Sequence, residues 1–186
     1  FRRRKEGKTD FYQRKGLIKS RKLRLVVRCT LSHSIAQLVE SRAEGDRTLV
    51  FASSKELSRD YGWKAPCGNL PAAYLTGMIT GYKALQNNLK EAILDIGLKK
   101  PPVGSKIFAA LKGVVDSGVS IPHGEKIFPS ESRVRGEHIM NFAKSYLENE
   151  NKQNFFSVYL KNNLMPADLP EHFEEVKKSI EKKFVK

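Results

Sequence analysis

The order of apolar and polar positions divides the chain into a leader, a body with strand and helix patterns, and a helical tail. Early in the body, β-branched and aliphatic residues cluster in three short runs, which predict strands at 24–31, 35–39 and 48–52. The links at 32–34 and 44–46 are short and rich in turn-forming residues. Because such links join neighbouring antiparallel strands, we expect the three strands to form a meander.

Helical spacing follows the meander. A short helix is predicted over 55–60 with Ser54 as its cap, and a longer helix over 71–85, where apolar positions recur three and four residues apart. The longer helix contains Gly77 and Gly81. Glycine inside a helix costs about 1 kcal/mol relative to alanine. We therefore expect these two glycines to allow a close backbone approach to the sheet.

The second half of the body alternates between strand and helix. It shows a short buried strand at 92–96, a helix capped by Ser105 and ended by Gly118, and a brief fifth strand at 119–121. The predicted order is therefore β-β-β-α-β-α-β, with right-handed crossovers. This order predicts an α/β fold with a mixed sheet, in which crossover helices bring parallel strands beside the antiparallel meander.

From about residue 133 the pattern is helical, with helices predicted over 134–147, near 155–160 and over 171–185. The last of these has one apolar stripe, and we expect the stripe to dock on the body or on a neighbouring protein. The stripe consists of Phe173, Val176, Ile180 and Phe184.

Charge sharpens this division. Phe1 to Arg28 holds twelve Lys or Arg and two acids, which is most of the formal net charge of +14 for all 186 residues. So dense a basic block repels itself unless a polyanion neutralises it, and nucleic acid is the obvious polyanion. The block has few core-forming residues, so we expect its partner to order it. The predicted units are a basic RNA-binding leader at 1–22, an α/β core domain at 23–132 and a helical tail at 133–186.

The cations of the leader are the natural contacts for RNA, because neutralisation of phosphates dominates RNA affinity. Arg24 and Arg28 lie at even spacing on the first strand and face the same side, although Arg24 could be only the solvated end of that strand. Phe11 and Tyr12 either stack on unpaired bases or pack the leader on the sheet. The candidate RNA-binding residues are Arg2, Arg3, Arg4, Lys5, Lys8, Phe11, Tyr12, Arg14, Lys15, Lys19, Arg21, Lys22, Arg24 and Arg28.

Three further features leave alternatives open. Trp63 either stacks on RNA or a neighbouring protein, or plugs an edge of the core. The helix starts at 68–69 and 104–106 could hold phosphates through free backbone N–H groups, and ordinary capping explains them equally well. Neither has the spacing of a nucleotide-binding loop.

Five sequence elements occur in a fixed order along the first 147 residues. They are Phe1–Asp10; Arg24–Arg28; Tyr61–Trp63 with Gly68–Gly77; Leu94–Gly97 with Phe108–Gly113; and Ile121–His123 with Arg135–Ile139. Each element alone is weak, but the ordered set is specific. Together they resemble the large-ribosomal-subunit protein family "L eighteen" in its archaeal form, whose eukaryotic counterpart is "L five".

The resemblance implies a fold and a function. The family fold is a mixed α/β sandwich, which agrees with the order of elements predicted above. The implied role is to bind 5S rRNA and to anchor it in the central protuberance of the large subunit, without catalysis and without a cofactor. The implied partners are 5S rRNA, large-subunit rRNA and neighbouring ribosomal proteins, and the implied location is the cytoplasmic ribosome.

The main alternative is a metal-dependent nuclease on an RNase H-like sheet. Such an enzyme needs several carboxylates that converge on metal ions, and the candidates are Asp95, Asp116 and Glu137. The first predicted strand contains no acid between Arg24 and Leu31. This gap argues against catalysis.

Other classes are disfavoured by the sequence. A leader bound to an anionic membrane would need a sustained apolar helix face, which residues 1–22 lack, and no apolar run approaches the roughly 18–20 residues that span a bilayer. Cys29 and Cys67 show no metal-ligand spacing, so we expect two reduced thiols and no metal. The chain begins at Phe1 without a signal-peptide pattern, and we expect further residues to precede it.

Overall fold

A four-stranded mixed sheet lies at the centre of the computed structural model, which describes residues 2–100, 102–147 and 153–184. β1 pairs antiparallel with β2 and parallel with β4, and β2 pairs antiparallel with β3, so the strand order is β3-β2-β1-β4. The predicted α/β class with a mixed sheet is confirmed. The strands are β1 Arg24–Cys29, β2 Ser34–Glu40, β3 Arg47–Ser53 and β4 Ile93–Asp95.

Helices precede, connect and follow the strands. In the part of the chain that the structure describes, no helix is long and apolar enough to cross a membrane. The predicted leader starts at Phe1 and the last predicted helix ends at 185, and both positions lie outside the described residues. The helices are α1 Arg2–Lys5, α2 Phe11–Lys19, α3 Ser54–Asp60, α4 Leu70–Gln86, α5 Lys106–Asp116, α6 Glu131–Arg135, α7 Glu137–Leu147, α8 Ser157–Lys161 and α9 Leu169–Phe184. Of these, α6, α7 and α9 pack on α4 or on one another.

The two faces of the sheet have different chemistry, because successive side chains along a strand point to opposite sides. The inner face packs against α4 and α5 and is almost entirely buried. Its residues are Leu25, Val27, Cys29, Ala36, Leu38, Val50 and Ala52. The outer face carries Arg24, Val26 and Arg28 on β1, with Gln37 and Val39 opposite them on β2. The prediction that Arg24 and Arg28 face the same side of the sheet is thus confirmed.

Glycines in α4 allow a close backbone approach, but to α5 and not to the sheet as predicted. A Cβ atom on Gly77 would collide with the backbone of Ala110, and one on Gly113 of α5 would collide with the backbone of Tyr74. Gly81 lies against the side chain of Ser117, which follows α5. The two helices therefore cross backbone to backbone on the inner face of the sheet, which the spacing within α4 alone could not reveal.

The predicted fifth strand at 119–121 is wrong. Ser120 forms only an isolated parallel bridge with Glu91, in which Ser120 donates its backbone N–H to Lys90 and accepts one from Ala92. The segment is too short for a continuous ladder of strand hydrogen bonds, because it lies between Gly118 and Pro122. Gly118 has a φ of +106°, and Pro122 has no N–H to donate.

The predicted helix over 134–147 is two helices. Gly136 ends α6 in the left-handed conformation, at a φ of +88°, and α7 begins at the next residue. A side chain at this position would press against Leu169 and Pro71, so the tail closes on the body where only glycine fits. The predicted segment near 155–160 is a 3₁₀ turn at Gln153–Phe156 followed by α8.

Two predicted helix caps differ in detail. Ser53, not Ser54, caps α3, and it forms a capping box in which Glu56 accepts the backbone N–H of Ser53. Ser54 is buried, and its Oγ accepts the backbone N–H of Ser34 at 3.0 Å, which joins the helix to the sheet. Ser105 precedes α5 as predicted, but its hydroxyl forms no capping bond.

The predicted apolar stripe of the last helix docks on the body. Phe173, Val176 and Ile180 are buried, and the ring of Phe184 stacks on Tyr82 of α4 at a centroid separation of 5.5 Å. The stripe was expected to cover either the body or a neighbouring protein, and in this structure it covers the body. α9 is therefore part of the hydrophobic core.

Candidate nucleic-acid interface

The leader lies over the outer face of the sheet and encloses a cleft of about 690 Å³, which we call the leader cleft. Its walls come from the leader, from β1 and β2, and from the segment after β4. Polar Gln37 and Thr48 line the strand side. The cations that line the cleft are Arg3, Lys8, Arg14, Arg24, Arg28 and Lys99.

The leader itself contains a helix that sequence patterning did not predict. The carboxylate of Asp10 accepts the backbone N–H groups of Tyr12 and Gln13 at 2.9 and 3.1 Å, and this cap starts α2. None of the nine residues of α2 is buried. The helix therefore has no apolar stripe of the kind that periodicity can detect.

Arg24 is the most buried cation at this site, with 3% of its side chain exposed. Its guanidinium donates to Asp95 at 2.7 Å, to Asp46 at 2.6 Å and to the hydroxyl of Ser41 at 3.1 Å. The interpretation of Arg24 as a solvated strand end is wrong, because these three partners enclose it. In this structure Arg24 holds Asp46 and Asp95 in place, and its contact with RNA stays a prediction.

Arg28 shares Asp95 with Arg24 but remains accessible. It donates to Oδ1 of Asp95 at 2.9 Å and to the Asp95 carbonyl at 2.7 Å, while 42% of its side chain is exposed. Gly97 lies against the guanidinium at a φ of +66°, where a Cβ atom would come within 3.0 Å of Arg28 Cζ. Glycine at this position therefore leaves room for the guanidinium of Arg28.

Asp46 connects the leader to the sheet. Both of its carboxylate oxygens accept hydrogen bonds of 2.8 Å from Nη2 of Arg14 on α2, and one of them also accepts from Arg24 on β1. Five alternating charges thus run from the leader across the sheet. We call this series the charge ladder, and its members are Arg14, Asp46, Arg24, Asp95 and Arg28.

The ladder lowers the pKa of both of its acids. Burial raises the pKa of Asp46 and of Asp95, but hydrogen bonds and positive charge from the neighbouring arginines outweigh burial and lower each pKa from its ordinary 3.8. A carboxyl group whose pKa is lowered by folding stabilises the folded protein at pH values above its ordinary pKa. This contribution is lost as the pH falls through the lowered pKa. The ladder is therefore fully charged at neutral pH.

The remaining candidates divide into those with protein partners and those without. Arg2 and Lys8 pair with Glu6, Arg3 donates to Thr9, and Lys22 pairs with Glu91 at 3.1 Å. Tyr12 is 90% exposed and available for stacking, whereas Phe11 is half-buried beside the cleft. Within the described residues, several candidates are exposed and their side chains have no hydrogen-bond or ion-pair partner; they are Arg4, Lys5, Lys15, Lys19 and Arg21.

Sequence reasoning missed the acids that organise these cations. From the sequence alone, Asp46 is only part of a turn-forming link, and Asp95 is only a candidate catalytic carboxylate. Lys99, which lines the cleft and donates to the carbonyl of Cys29 at 2.6 Å, was not considered. The detectable signal was Asp95 at the end of a predicted strand, since an acid in such a short buried strand needs a cationic partner.

The structure gives the three nuclease candidates separate environments. Asp95 belongs to the charge ladder, Asp116 accepts the hydroxyl hydrogen of Tyr74 at 2.8 Å, and Glu137 begins α7. Burial and the Asp116 contact raise the pKa of Tyr74. Across residues 2–100, 102–147 and 153–184, no group of three or more His, Cys, Asp or Glu side chains is arranged to hold a metal ion.

Contacts within the protein engage Trp63 and one side chain at each of the two candidate helix starts. Trp63 is 1% exposed and stacks on His172 of α9, so it plugs the core edge. Asn69 caps α4 by accepting the backbone N–H of Ala72 at 2.8 Å. Lys106 extends over the adjoining loops and donates to the carbonyls of Thr30 and Gly68. These contacts leave the leader and the outer sheet face as the strongest candidate surface.

Comparison with known proteins shows the family of the chain. The family model described as "Ribosomal large subunit proteins 60S L5, and 50S L18" matches residues 1–91 and 86–124. A curated relative from Methanothermobacter thermautotrophicus, named "Large ribosomal subunit protein uL18", is 52% identical over 181 residues, which cover 97% of this chain and 93% of the relative. The chain therefore belongs to the family of large-subunit ribosomal proteins 60S L5 and 50S L18.

Proposed function

We propose that the protein binds 5S rRNA through its leader and the outer face of its sheet, and that it anchors this RNA in the central protuberance of the large subunit. As a member of its family, the chain is a structural protein of the large subunit of the cytoplasmic ribosome, with rRNA and ribosomal proteins as partners. The proposal adds the identity of the RNA and the surface that binds it.

The observation that carries the proposal is the position of α2. The charge ladder places this helix beside a cleft lined by cations, while exposed lysines on the leader remain unpaired. A surface of this kind exchanges condensed counterions for arginine and lysine contacts when it binds RNA. Exposed Tyr12 adds a ring on which an unpaired base can stack.

A charge-neutralisation experiment in the full chain tests the proposal. The leader variant replaces Lys5, Lys15 and Lys19 by Gln, and the matched tail variant replaces Lys144, Lys178 and Lys182 by Gln; all six lysines are exposed. Binding of 5S rRNA and of tRNA is measured by filter retention over a series of salt concentrations. Each lost phosphate contact lowers the slope of log K against log salt by about 0.7–0.9.

We expect the leader variant to lose up to about two units of this slope and at least tenfold in affinity for 5S rRNA. The tail variant should bind like the natural chain, and the natural chain should prefer 5S rRNA to tRNA. Equal losses in the two variants would refute the assignment of the surface. Equal affinities for 5S rRNA and tRNA would refute the assignment of the RNA.

A further inference from the structure

We infer that Asp46 is a positioning residue for RNA binding, whose carboxylate fixes α2 over the outer face of the sheet, so that removing this negative charge weakens RNA binding. The inference rests on the proposed binding of RNA by the leader. It runs against the general expectation for a polyanion-binding surface, where loss of an acid strengthens binding because the net positive charge increases.

The geometry around Asp46 is that of an anchor. Its two oxygens share Nη2 of Arg14 at 2.8 Å each, and only about a third of either side chain is exposed. Asp46 lies in the link between β2 and β3, 32 residues from Arg14 in sequence. The pair therefore joins the leader to the body and does not stabilise a local turn.

The anchor is itself held in a fixed position. The buried side chain of Arg24, on the outer face of β1, donates to Asp46 at 2.6 Å, and Asp95 and Ser41 hold the rest of its guanidinium. Asp46 is thus attached to the central strand of the sheet by a nearly inaccessible cation. A fixed carboxylate of this kind sets where Arg14, and with it α2, can lie.

Within the described residues, other links between leader and body are few. Lys22 pairs with Glu91 at 3.1 Å, but it lies after α2, and about half of each side chain is exposed to solvent. α2 buries none of its residues completely, and its apolar contacts beside the cleft come from half-buried Phe11 and Leu17. Loss of the Arg14–Asp46 pair should therefore release the helix that carries Lys15 and Lys19.

A released helix binds RNA less well for an entropic reason. The leader must then be ordered at the moment of binding, and this ordering opposes association. An exposed or half-exposed ion pair contributes about 0.2–1 kcal/mol. We therefore expect RNA affinity to fall about two- to fivefold when the pair is removed.

Asp46 could instead compete with RNA for Arg14, and the expected change in RNA affinity would then have the opposite sign. If Asp46 occupied the place of an RNA phosphate on Arg14, it would compete with RNA, and its neutralisation would strengthen binding. The free protein allows the two roles to be separated as well, because only an anchor changes the mobility of α2 when it is removed.

The test compares two neutralised acids from the same link. Asp46→Asn keeps the shape of the side chain but removes the charge that holds Arg14. Glu44→Gln is the matched control, because Glu44 is exposed in the same link and loses the same charge. Affinity for 5S rRNA, its salt slope, amide exchange along α2 in the free chain and the thermal midpoint are measured for each full-length protein.

We expect Asp46→Asn to speed amide exchange in α2 and to weaken RNA binding, while Glu44→Gln leaves exchange unchanged and binds RNA equally well or more tightly. The double variant Arg14→Gln/Asp46→Asn should bind no more weakly than Arg14→Gln alone, because the anchor has already been lost. This non-additivity holds even if the neutralised acid lowers the thermal midpoint of the body.

The outcomes separate the two levels of the argument. If the natural chain binds 5S rRNA and Asp46→Asn binds as tightly or more tightly, the positioning role is wrong and the proposed function stands. Unchanged exchange in α2 overturns the positioning role in the same way. If the natural chain shows no preference for 5S rRNA and no salt dependence, the proposed function fails, and the inference fails with it.

Discussion

The leader and the tail helix both lie against the body, but different forces hold them there. Within the described residues, the leader is joined to the body through the ion pairs Arg14–Asp46 and Lys22–Glu91, of which Arg14–Asp46 is the less exposed. The tail helix α9 inserts Phe173 and Ile180 into the core, at 2% and 0% exposure. A peripheral ion pair, Arg135–Glu174 at 3.5 Å, joins α9 to α6 within the tail.

This difference indicates which part of the molecule can adapt to a partner. Ion pairs near the surface contribute about 0–1 kcal/mol each, and a competing phosphate can replace them. Burial of one large apolar side chain contributes about 1.5–3 kcal/mol and needs no partner. The leader is therefore suited to final adjustment on RNA, whereas the tail is part of the fold before any RNA is present.

The largest expected effect on stability comes from truncating a buried side chain of the tail helix. Phe173→Ala leaves a cavity beside Tyr74, whose ring lies 5.8 Å from that of Phe173. Loss of a buried phenyl group should lower the free energy of unfolding by about 3–5 kcal/mol. Urea denaturation measures this loss, and amide exchange should show that α9 loosens while α2 does not.

The matched control for this variant is Phe155→Ala, because Phe155 also belongs to the tail but is 75% exposed. This control should change the free energy of unfolding by no more than about 0.5 kcal/mol. If Phe173→Ala were equally harmless, the tail would not belong to the core. The claim that apolar burial holds the tail against the body would then be wrong.

Sequence patterning identified the tail contact because apolar burial leaves a period in the sequence. Phe173, Val176 and Ile180 recur at helical spacing, and all three are buried against the body. The meander and the parallel return of β4 were visible for the same reason. Gly136 interrupts one predicted helix because its backbone adopts the left-handed conformation where the tail closes, and no local pattern encodes that contact.

The leader contact could not be predicted in this way. The burial and pairing of Arg24 depend on Asp46 and Asp95, which lie 22 and 71 residues away in sequence. Charge pairs between distant segments follow no period, so composition revealed the basic leader but not its anchor. Which cations bind RNA stays a prediction, since the candidates divide into paired and unpaired groups only once the fold is known.

A smaller effect should appear when the pH is lowered, and it should involve the tail. The Nε2 atom of His172 accepts the backbone N–H of Lys64 at 3.1 Å, and the ring stacks on Trp63. Burial lowers the pKa of His172 from 6.5, although Glu175, 3.6 Å away, partly opposes this shift. Because the unfolded chain takes up this proton more readily, stability should decrease as the pH falls below 6.5.

We expect this loss to be on the order of 1 kcal/mol between pH 7 and pH 5, measured by urea denaturation at each pH. The His172→Gln variant keeps a hydrogen-bond acceptor but does not titrate, and it should show a flatter profile. Burial and the charge of Arg133 also lower the pKa of His138, which remains in this variant and sets the residual slope. Identical profiles for the two proteins would show that protonation of His172 does not affect the tail.

The smallest expected effect separates the two contacts by salt alone. Raising NaCl from 0.1 M to 1 M shortens the screening length from about 10 Å to about 3 Å. The Arg14–Asp46 pair, about a third exposed, should weaken by less than about 1 kcal/mol, so amide exchange in α2 should accelerate by no more than about fivefold. Exchange at the buried face of α9 should stay constant, because apolar burial does not depend on charge.

The Asp46→Asn variant is the control for this salt effect. Without the carboxylate, α2 should exchange rapidly at both salt concentrations, and added salt should change little. If salt instead loosened α9 as much as α2, charge would contribute equally to both contacts. If salt loosened neither helix, the leader would be held by packing of half-buried Phe11 and Leu17 beside the cleft, and its fit to RNA would be fixed before binding.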